Sequence, residues 1–205
     1  MLESVGLTCL RGGRRLFENL GFTVSSGELV HLQGSNGSGK TSLLRILTGL
    51  SSPDTGEVRW RGESIRQVRD AYVSEMLYLG HHPAIKDDLS VRENLQISLR
   101  LAGLCPTADA VRSAIEVVGL GGRANLPARV LSQGQRRRLA LARLWLDARP
   151  LWILDEPFTA LDVHATSLLE SRLEQQLAQG GMVVLTTHQP PSIAPRYVRV
   201  FGMES

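Results

Sequence analysis

Cysteine is scarce in this sequence. Only Cys9 and Cys105 occur among 205 residues, and neither belongs to a CxxC motif or a Cys/His cluster. A disulfide framework or a zinc site therefore has little support. Hydrophobic residues make up 42% of the chain, which is enough to bury a core without covalent links. We expect one large domain or two closely fused lobes, with both cysteines buried as reduced thiols.

Long hydrophobic runs are absent as well. The most apolar stretches, at Leu151–Leu154 and Met182–Leu185, have the length of strands. A membrane-spanning helix needs about 20 apolar residues. The first residues also lack the apolar core of a secretory signal. The sequence therefore predicts a cytosolic chain whose role at a membrane is peripheral.

Lysine is nearly missing from the charged residues. Lys40 and Lys86 are the only lysines, so the formal net charge of +3 depends on arginine. The arginines are spread along the chain apart from the run Arg136–Arg138. Such a distribution is typical of a solvated surface rather than of a nucleic-acid interface.

Hydrophobic spacing in the first part of the chain predicts an α/β fold. Residues 2–33 have the pattern of short strands with glycine-rich turns, and the last strand runs directly into a glycine loop. From Lys40 the leucines recur at helical intervals, so this loop opens a helix. Residues 58–60 and 76–79 predict further strands.

The middle of the chain changes to helical spacing. The segment Ser90–Glu93 has a capping-box pattern before one helix, and residues 109–118 predict a second. We expect residues from about 88 to 146 to form a helical lobe inserted into an α/β core made of residues 1–87 and 147–205.

In the last part of the chain, strands and helices are again predicted to alternate. Residues 151–155 predict a strand, residues 162–179 a helix ended by two glycines, and residues 182–187 another strand. A strand, a helix and a strand of these lengths predict a right-handed crossover in a parallel sheet.

A phosphate-binding pattern lies between the strand before residue 34 and the helix from Lys40. The pattern GxxxxGK[ST] is satisfied in full by Gly34, Ser35, Asn36, Gly37, Ser38, Gly39, Lys40 and Thr41. Glycines let backbone N–H groups turn toward phosphate oxygens, and the helix N-terminus adds partial positive charge. We expect Lys40 to reach the β- and γ-phosphates of ATP and Thr41 to ligate Mg²⁺. The alternative is a Gly/Ser surface loop with a solvated lysine.

Two carboxylates, Asp155 and Glu156, end an apolar strand. This is the layout of a Walker B segment, in which Asp155 would hold Mg²⁺ directly or through water. Glu156 points elsewhere and is the candidate that orients or deprotonates the attacking water. Such a pair alone more often starts a helix, and the P-loop in the same chain favours the catalytic interpretation.

Three further segments complete a family pattern. The segment Leu131–Gln135 resembles the LSGGQ signature that separates ABC ATPases from other P-loop proteins. The segment Asp155–Asp162 resembles a Walker B motif with a D-loop, and Thr187-His188 resembles an H-loop. The resemblance covers almost the whole chain. It implies a P-loop NTPase of ABC ATPase type, with a mixed-sheet α/β core, an N-terminal antiparallel β subdomain and an inserted helical lobe.

The resemblance also implies roles for single residues. Ser132 and the Gly134 N–H would bind the γ-phosphate held by a second copy of the chain, so hydrolysis would require two chains facing head to tail. His188 would contact the γ-phosphate, and Asp162 would couple the two sites. The sequence also allows a structural alternative to phosphate binding, in which Ser132 and Gln135 form an ordinary Ser-x-x-Gln capping box. Both can be true at once.

Two positions depart from the family pattern. Arg11 stands where the family usually has an aromatic residue that stacks on adenine, although a guanidinium can also stack on a base. His82 stands where the Q-loop glutamine is expected. A histidine there would hold water or ligate a metal, whereas Mg²⁺ prefers oxygen. The alternative makes His82 a turn residue before Pro83, and the two interpretations stay open.

Several stretches outside the shared motifs resemble one branch of the family, the ATPase subunits of cytochrome c maturation systems, often called haem exporter ATP-binding proteins. They are Gly34–Gly37 with Leu43–Leu50, Gly80–Lys86, Ala142–Leu146 and Thr186–Pro190. The resemblance implies a peripheral subunit on the cytoplasmic face of a bacterial inner membrane. It also implies a polytopic permease partner, haem-handling maturation proteins as further partners, and no direct haem binding by this chain.

Two rival functions remain. One is an ABC ATPase subunit for another cargo, such as a lipid or small peptide. The other is a soluble ABC ATPase that acts on nucleic acid, and such proteins usually carry a long coiled-coil insertion or two tandem ATPase halves. The sequence has neither feature, so we expect no nucleic-acid partner.

Overall fold

The computed structural model describes residues 1–203, which belong to two compact units. The first unit comprises Met1–Tyr78, Arg149–Glu156 and the chain from Leu173 onward, and the second comprises Leu79–Ala148 and Pro157–Arg172. The second unit therefore begins before the predicted helical lobe and takes in residues that follow the carboxylate pair. That both units belong to one domain stays a prediction.

Strands and helices follow one another in an α/β order. In chain order they are β1 (Leu2–Arg11), β2 (Arg14–Val24), β3 (Leu29–Gln33), α1 (Lys40–Leu47), β4 (Thr55–Trp60), β5 (Glu63–Ser64), α2 (Arg69–Glu75), β6 (Met76–Leu79), α3 (Val91–Leu101), α4 (Ala108–Val117), α5 (Gln133–Leu141), β7 (Leu151–Asp155), α6 (Val163–Ala178), β8 (Met182–Thr186) and β9 (Val198–Gly202).

An antiparallel sheet with the order β2-β1-β4-β5 carries the N-terminal half of the first unit. Gly12 and Gly13 form the two-residue turn between β1 and β2, with φ of 57° and 75°. Such a turn requires positive φ at both positions, which glycine adopts without a steric penalty. The strands are longer than predicted, at 10 and 11 residues, because a register shift near Gly6 lets the ribbon bend without ending.

A second sheet with the order β6-β7-β8-β3-β9 carries the phosphate-binding loop. Its strand β3 pairs in parallel with β8 and β9, and β7 pairs in parallel with β8. Every residue of β7 and β8 is buried, as expected for parallel strands covered on both faces. The predicted parallel arrangement of β7 and β8 is confirmed, and the α/β fold with a separate antiparallel sheet agrees with the predicted class.

The second unit is built from helices around their own hydrophobic cluster. Its core is formed by Val91, Leu95, Leu99, Val111, Ala114, Ile115, Val118, Leu120, Ala128, Leu131, Leu139 and Ala142. The predicted capping box of α3 is present, since Ser90 Oγ accepts a hydrogen bond from the Glu93 N–H and the Glu93 carboxylate accepts one from the Ser90 N–H. The Thr107 side chain caps α4.

Two expectations about exposure can be compared with the structure. Cys9 is buried as predicted, but the prediction for Cys105 is wrong, because Cys105 lies exposed in the loop that follows α3. Within residues 1–203, no helix is both long and apolar enough to cross a membrane.

Candidate functional site

The P-loop joins β3 to α1, as its sequence pattern predicts. Gly39 is the N-cap residue of α1 with φ of 96°, in the left-handed region that favours glycine. A Cβ on Gly39 would lie 3.0 Å from the Leu16 Cβ and 3.1 Å from the Phe17 ring, and a Cβ on Gly34 would lie 2.6 Å from the Ser38 Oγ. The backbone conformation of Gly39 favours glycine, and both positions leave little room for a Cβ.

Lys40 directs its ammonium group into the loop itself. Its Nζ donates hydrogen bonds to the backbone oxygens of Gly34, at 2.7 Å, and of Ser35, at 3.0 Å. The Ser38 Oγ is buried and accepts or donates no hydrogen bond within the described chain. A loop with an internal cation and an unsatisfied hydroxyl fits a bound phosphate group, while Asn36, Gly37 and Thr41 are exposed beside it.

The carboxylate pair lies at the carboxyl ends of the strands in the sheet that also carries the P-loop. Leu32 and Asp155 are both in register with Thr186 of β8, one on each side. The P-loop begins two residues after Leu32. Because the carboxyl ends of parallel strands share one edge, the strand register brings the P-loop and the carboxylates together.

Thr186 ties the two carboxylate residues to each other. Its Oγ1 donates to the Asp155 Oδ1 at 2.8 Å and accepts from the Glu156 N–H at 2.9 Å. Thr186 was not predicted as a site residue. A threonine at the end of the apolar run Met182–Leu185 was the available signal, but its partners depend on the register of β7 and β8.

Glu156 has an unusual backbone conformation for a glutamate. Its φ is 50°, in the left-handed region, and 8% of the residue is exposed. Residues held there cost about 1–3 kcal/mol and concentrate at functional sites. The His188 Nε2 lies 3.6 Å from the Glu156 Oε1, so the structure brings the predicted base and the predicted H-loop histidine together.

Two further side chains border this part of the sheet. The buried His31 of β3 places its Nε2 3.2 Å from the backbone oxygen of Thr187, the residue before His188. Burial, and to a smaller extent the Asp155 carboxylate, raise the pKa of Tyr78, while Arg45 acts in the opposite direction. The phenol of Tyr78 therefore stays neutral at physiological pH.

The predicted signature residues lie at the start of α5. Ser132 is the N-cap residue, and its Oγ accepts from the Gln135 N–H at 3.3 Å while the Gln135 Oε1 accepts from the Ser132 N–H at 3.0 Å. The capping-box alternative is therefore present. Gly134 lies so close to the D-loop that a Cβ would be 2.7 Å from the Ala160 oxygen.

The D-loop residue Asp162 also caps a helix. Its Oδ1 accepts a hydrogen bond from the Ala165 N–H at 2.8 Å, in the first turn of α6. Ala160, two residues earlier, has φ of 63°. Asp162 and the signature residues belong to the second unit, whereas Lys40, Asp155, Glu156 and His188 belong to the first.

The two departures from the family pattern are both exposed. Arg11 lies at the end of β1, 3.9 Å from Asp54. His82 lies in the second unit with its ring 4.9 Å from that of His81 in an edge-to-face arrangement. Neither the stacking of Arg11 on adenine nor a metal role for His82 is tested by these positions, and both stay predictions.

Within residues 1–203, no three His, Cys, Asp or Glu side chains lie close enough together to hold a metal ion. Mg²⁺ in nucleotide sites uses one or two protein oxygens, with phosphate and water completing the octahedron. The oxygen ligands offered by Thr41 and Asp155 fit that requirement.

Comparison with known proteins gives a consistent result. The ABC transporter family matches residues 17–159. The chain is 57% identical over 189 residues to the cytochrome c biogenesis ATP-binding export protein CcmA of Nitrosomonas europaea, with 92% of this chain and 89% of that protein covered. It is 50% identical over 199 residues to the protein of the same name from Escherichia coli K12, with 97% and 94% covered.

Solved structures agree with this assignment. An ATP-binding subunit of an ABC transporter superposes with a TM-score of 0.84 at 27% identity, covering 98% of this chain and 85% of that one. A dimeric ATP-binding cassette bound to ADP and phosphate has the same fold, with a TM-score of 0.77 at 23% identity, covering 92% and 88%. The chain therefore belongs to the ABC transporter family as an ATP-binding ATPase subunit, and within it to the cytochrome c biogenesis ATP-binding export proteins.

Proposed function

We propose that this chain hydrolyses ATP to power a membrane export complex that delivers haem for the assembly of c-type cytochromes. The observation that carries the proposal is the shared sheet edge, where the register of β3, β7 and β8 places the P-loop beside Asp155 and Glu156. The cytochrome c branch is supported by 57% identity over 92% of the chain.

Each residue of this edge has a proposed role. The Lys40 ammonium binds the β- and γ-phosphate oxygens and offsets the charge that grows during transfer. Thr41 and Asp155 would hold Mg²⁺, which would neutralise further phosphate charge. Glu156 accepts a proton from water as the water oxygen bonds to the γ-phosphorus and the bond to ADP breaks. His188, 3.6 Å from Glu156, contacts the γ-phosphate.

A complete site requires a second copy of the chain. Ser132 and Gly134 stand at the N-terminus of α5, a nine-residue helix whose N–H groups favour an anion. The capping box leaves this role possible, because Ser132 Oγ keeps its rotating hydroxyl proton for a phosphate. We propose that each chain supplies Lys40 to one ATP and Ser132 to the other.

The membrane partner is proposed to be a polytopic permease that holds this chain at the cytoplasmic face of a bacterial inner membrane. A cavity of about 560 Å³ lies in the first unit. Its lining includes Ile46, Val58, Ile65, Tyr72, Met76 and Tyr78. Leu50 and Val73 beside it are 59% and 45% exposed, and Arg66 and Arg69 add positive charge. These features suit an apolar permease segment flanked by acidic residues.

Co-purification of the permease tests whether it binds at this cavity. Leu50→Glu combined with Val73→Glu places two charges on the apolar rim and should remove the permease from protein purified out of detergent-solubilised membranes. The matched variant Leu101→Glu changes a side chain that is 85% exposed in the second unit and should retain the permease. If the double variant retains the permease and its thermal unfolding is unchanged, the cavity is excluded as the permease-binding site.

His82 is proposed to replace the Q-loop glutamine. It lies in the loop after β6, exposed beside His81. An imidazole can hold a water through one ring nitrogen, as a glutamine amide does. His82→Gln should therefore keep the ATPase activity of the intact complex, whereas His82→Ala should lower it without changing ATP affinity.

The decisive experiment replaces the chromosomal gene by variants and measures covalently bound haem in c-type cytochromes by peroxidase staining. Glu156→Gln should abolish the staining while b-type cytochromes remain, and Lys86→Ala should leave both unchanged. Normal c-type cytochromes in the Glu156→Gln strain would refute the proposal. Loss of export of another cargo, found by analysing the co-purified complex, would instead favour the rival transporter function.

A further inference from the structure

Arg137, in the middle of α5, is a buried cation that the proposed mechanism does not use. This residue is 4% exposed, although arginine is rarely buried completely. Its neighbours Arg136 and Arg138 are half-buried. A buried cation at this place needs a physical explanation.

The guanidinium of Arg137 reaches the backbone oxygens of two distant chain segments. The Nη1 donates to the Gly80 oxygen at 3.2 Å and to the His81 oxygen at 3.3 Å. The Nε donates to the Pro157 oxygen at 3.3 Å. These partners lie 57, 56 and 20 residues away along the chain, and all belong to the second unit.

The chemistry of arginine makes the loss of these hydrogen bonds costly. A guanidinium stays charged under all ordinary conditions and presents five N–H donors in a planar fork. Away from water, such a cation is tolerated only when its donors are satisfied. Releasing either segment from Arg137 would therefore leave part of a buried charge without hydrogen bonds, which disfavours independent motion of the segments.

Each segment held by Arg137 adjoins a residue of the proposed site. Gly80 and His81 directly precede His82, and Pro157 directly follows Glu156. The helix that carries Arg137 begins with the signature. A separate observation supports a fixed arrangement here, since Gly134 packs against the backbone of Ala160 with no room for a Cβ.

We propose that Arg137 is a positioning residue that clamps the His82 loop and the segment after Glu156 onto the signature helix. The clamp makes these three segments move as one body. It sets where Ser132 meets the nucleotide of the second copy. This inference deepens the proposed function and rests on it for the role of Ser132, but the clamp itself is a property of the monomer.

Hydrogen exchange of the nucleotide-free monomer tests the clamp directly. Arg137→Gln should raise amide exchange about tenfold or more in residues 79–83 and also in residues 157–161, because both lose their shared anchor. Arg136→Gln, which removes only a surface ion pair with Asp87, should raise neither. Unchanged exchange in either segment of Arg137→Gln would overturn the proposal. If Arg137→Gln does not fold, Arg137→Lys keeps the charge but cannot span both segments, and the same result is expected.

ATP-dependent dimerisation distinguishes a positioning role of Arg137 from a merely structural one. In a Glu156→Gln background, Arg137→Gln should weaken ATP-dependent dimerisation about tenfold or more while the affinity of the monomer for ATP stays unchanged. Unchanged dimerisation, or equal losses of ATP affinity and dimerisation, would contradict the inference. If the Glu156→Gln parent does not dimerise, the proposed function fails at that point, and the exchange measurement still decides the clamp.

Discussion

At the scale of single residues, Thr186 links Asp155 and Glu156, the two carboxylates that we propose for Mg²⁺ binding and catalysis. One hydroxyl donates to the Asp155 carboxylate and accepts from the Glu156 N–H. Glu156 adopts φ of 50°, a conformation that persists only where its surroundings hold it. We infer that the Thr186 hydroxyl supplies part of that restraint.

Replacement of Thr186 by valine keeps the shape and removes the hydroxyl. We expect Thr186→Val to lower kcat about 10- to 100-fold, since small misplacements of a catalytic group have effects of this size. Leaving the buried Glu156 N–H unsatisfied should also lower the free energy of unfolding by about 1–3 kcal/mol. Steady-state phosphate release and urea unfolding measure the two effects.

Two variants control this experiment. Thr186→Ser retains the hydroxyl and should keep most of the activity. Ser4→Ala removes another buried hydroxyl that both donates and accepts, to the Phe22 backbone, and should lower stability without lowering kcat. Full activity in Thr186→Val would remove Thr186 from the account.

The two lysines of the chain offer a matched pair of variants. Lys40→Ala removes the cation inside the P-loop and should lower ATP turnover about 100-fold or more, the order of effect seen when a charge-stabilising donor is removed. Lys86→Ala should leave turnover unchanged, because the Lys86 contacts to Asn94 use only its backbone N–H and oxygen. Circular dichroism checks folding. Near-normal turnover in folded Lys40→Ala would refute the P-loop assignment.

At the scale of helices and strands, the start of α3 depends on a titratable cap. Hydrogen bonds from the Ser90 hydroxyl and then from the Ser90 N–H lower the pKa of Glu93. The folded state therefore binds fewer protons at this site than the unfolded state. The stabilisation is present above the ordinary pKa of a glutamate and is lost as the pH falls through the lowered value.

Ser90→Ala should reduce the free energy of unfolding by about 1 kcal/mol at neutral pH. The difference from the wild type should shrink as the pH falls through the lowered pKa of Glu93, because protonation weakens the interaction of its carboxylate with Ser90. Thr107→Ala removes the N-cap of α4, where Thr107 accepts a hydrogen bond from the Ala110 N–H and no glutamate completes a capping box. The loss of stability in this variant should therefore not depend on pH in this way. Equal pH dependence in both variants would contradict the role of Glu93.

Secondary structure was predictable where the periodicity was strong. The continuous apolar runs of β7 and β8 and the capped helices α3 and α4 were identified from the sequence. Helix α2 and strands β5 and β9 were missed, and β5 is only two residues long. Helix α2 buries only Tyr72, so it shows no hydrophobic stripe, and β9 has no buried residue, so its alternation is weak.

The site was predictable where one motif carries it. The glycines, Lys40 and the carboxylate pair follow from local patterns, since each motif is contiguous. His31, Thr186 and Arg137 were missed, because their hydrogen-bond partners lie 156, 31 and up to 57 residues away. Such partners are set by strand register and packing, and a single sequence does not encode them in its spacing.

At the scale of the whole molecule, the two units carry residues that we propose for two different ATP sites. The first unit holds the P-loop, Asp155 and Glu156, and the second holds the signature at the start of α5. We propose that ATP joins Lys40 of one chain to Ser132 of another and so stabilises the dimer by mass action. ADP lacks the γ-phosphate, so we propose that hydrolysis by Glu156 loosens the interface and that this change is the movement passed to the permease.

The mass of purified Glu156→Gln in solution tests this shared site most directly, because the variant keeps its shape but lacks the base. Light scattering should give twice the 22.5 kDa of the monomer with Mg²⁺-ATP, and the monomer mass with ADP. Adding Ser132→Arg should restore the monomer with ATP. A monomer mass with bound Mg²⁺-ATP in Glu156→Gln itself would contradict the account.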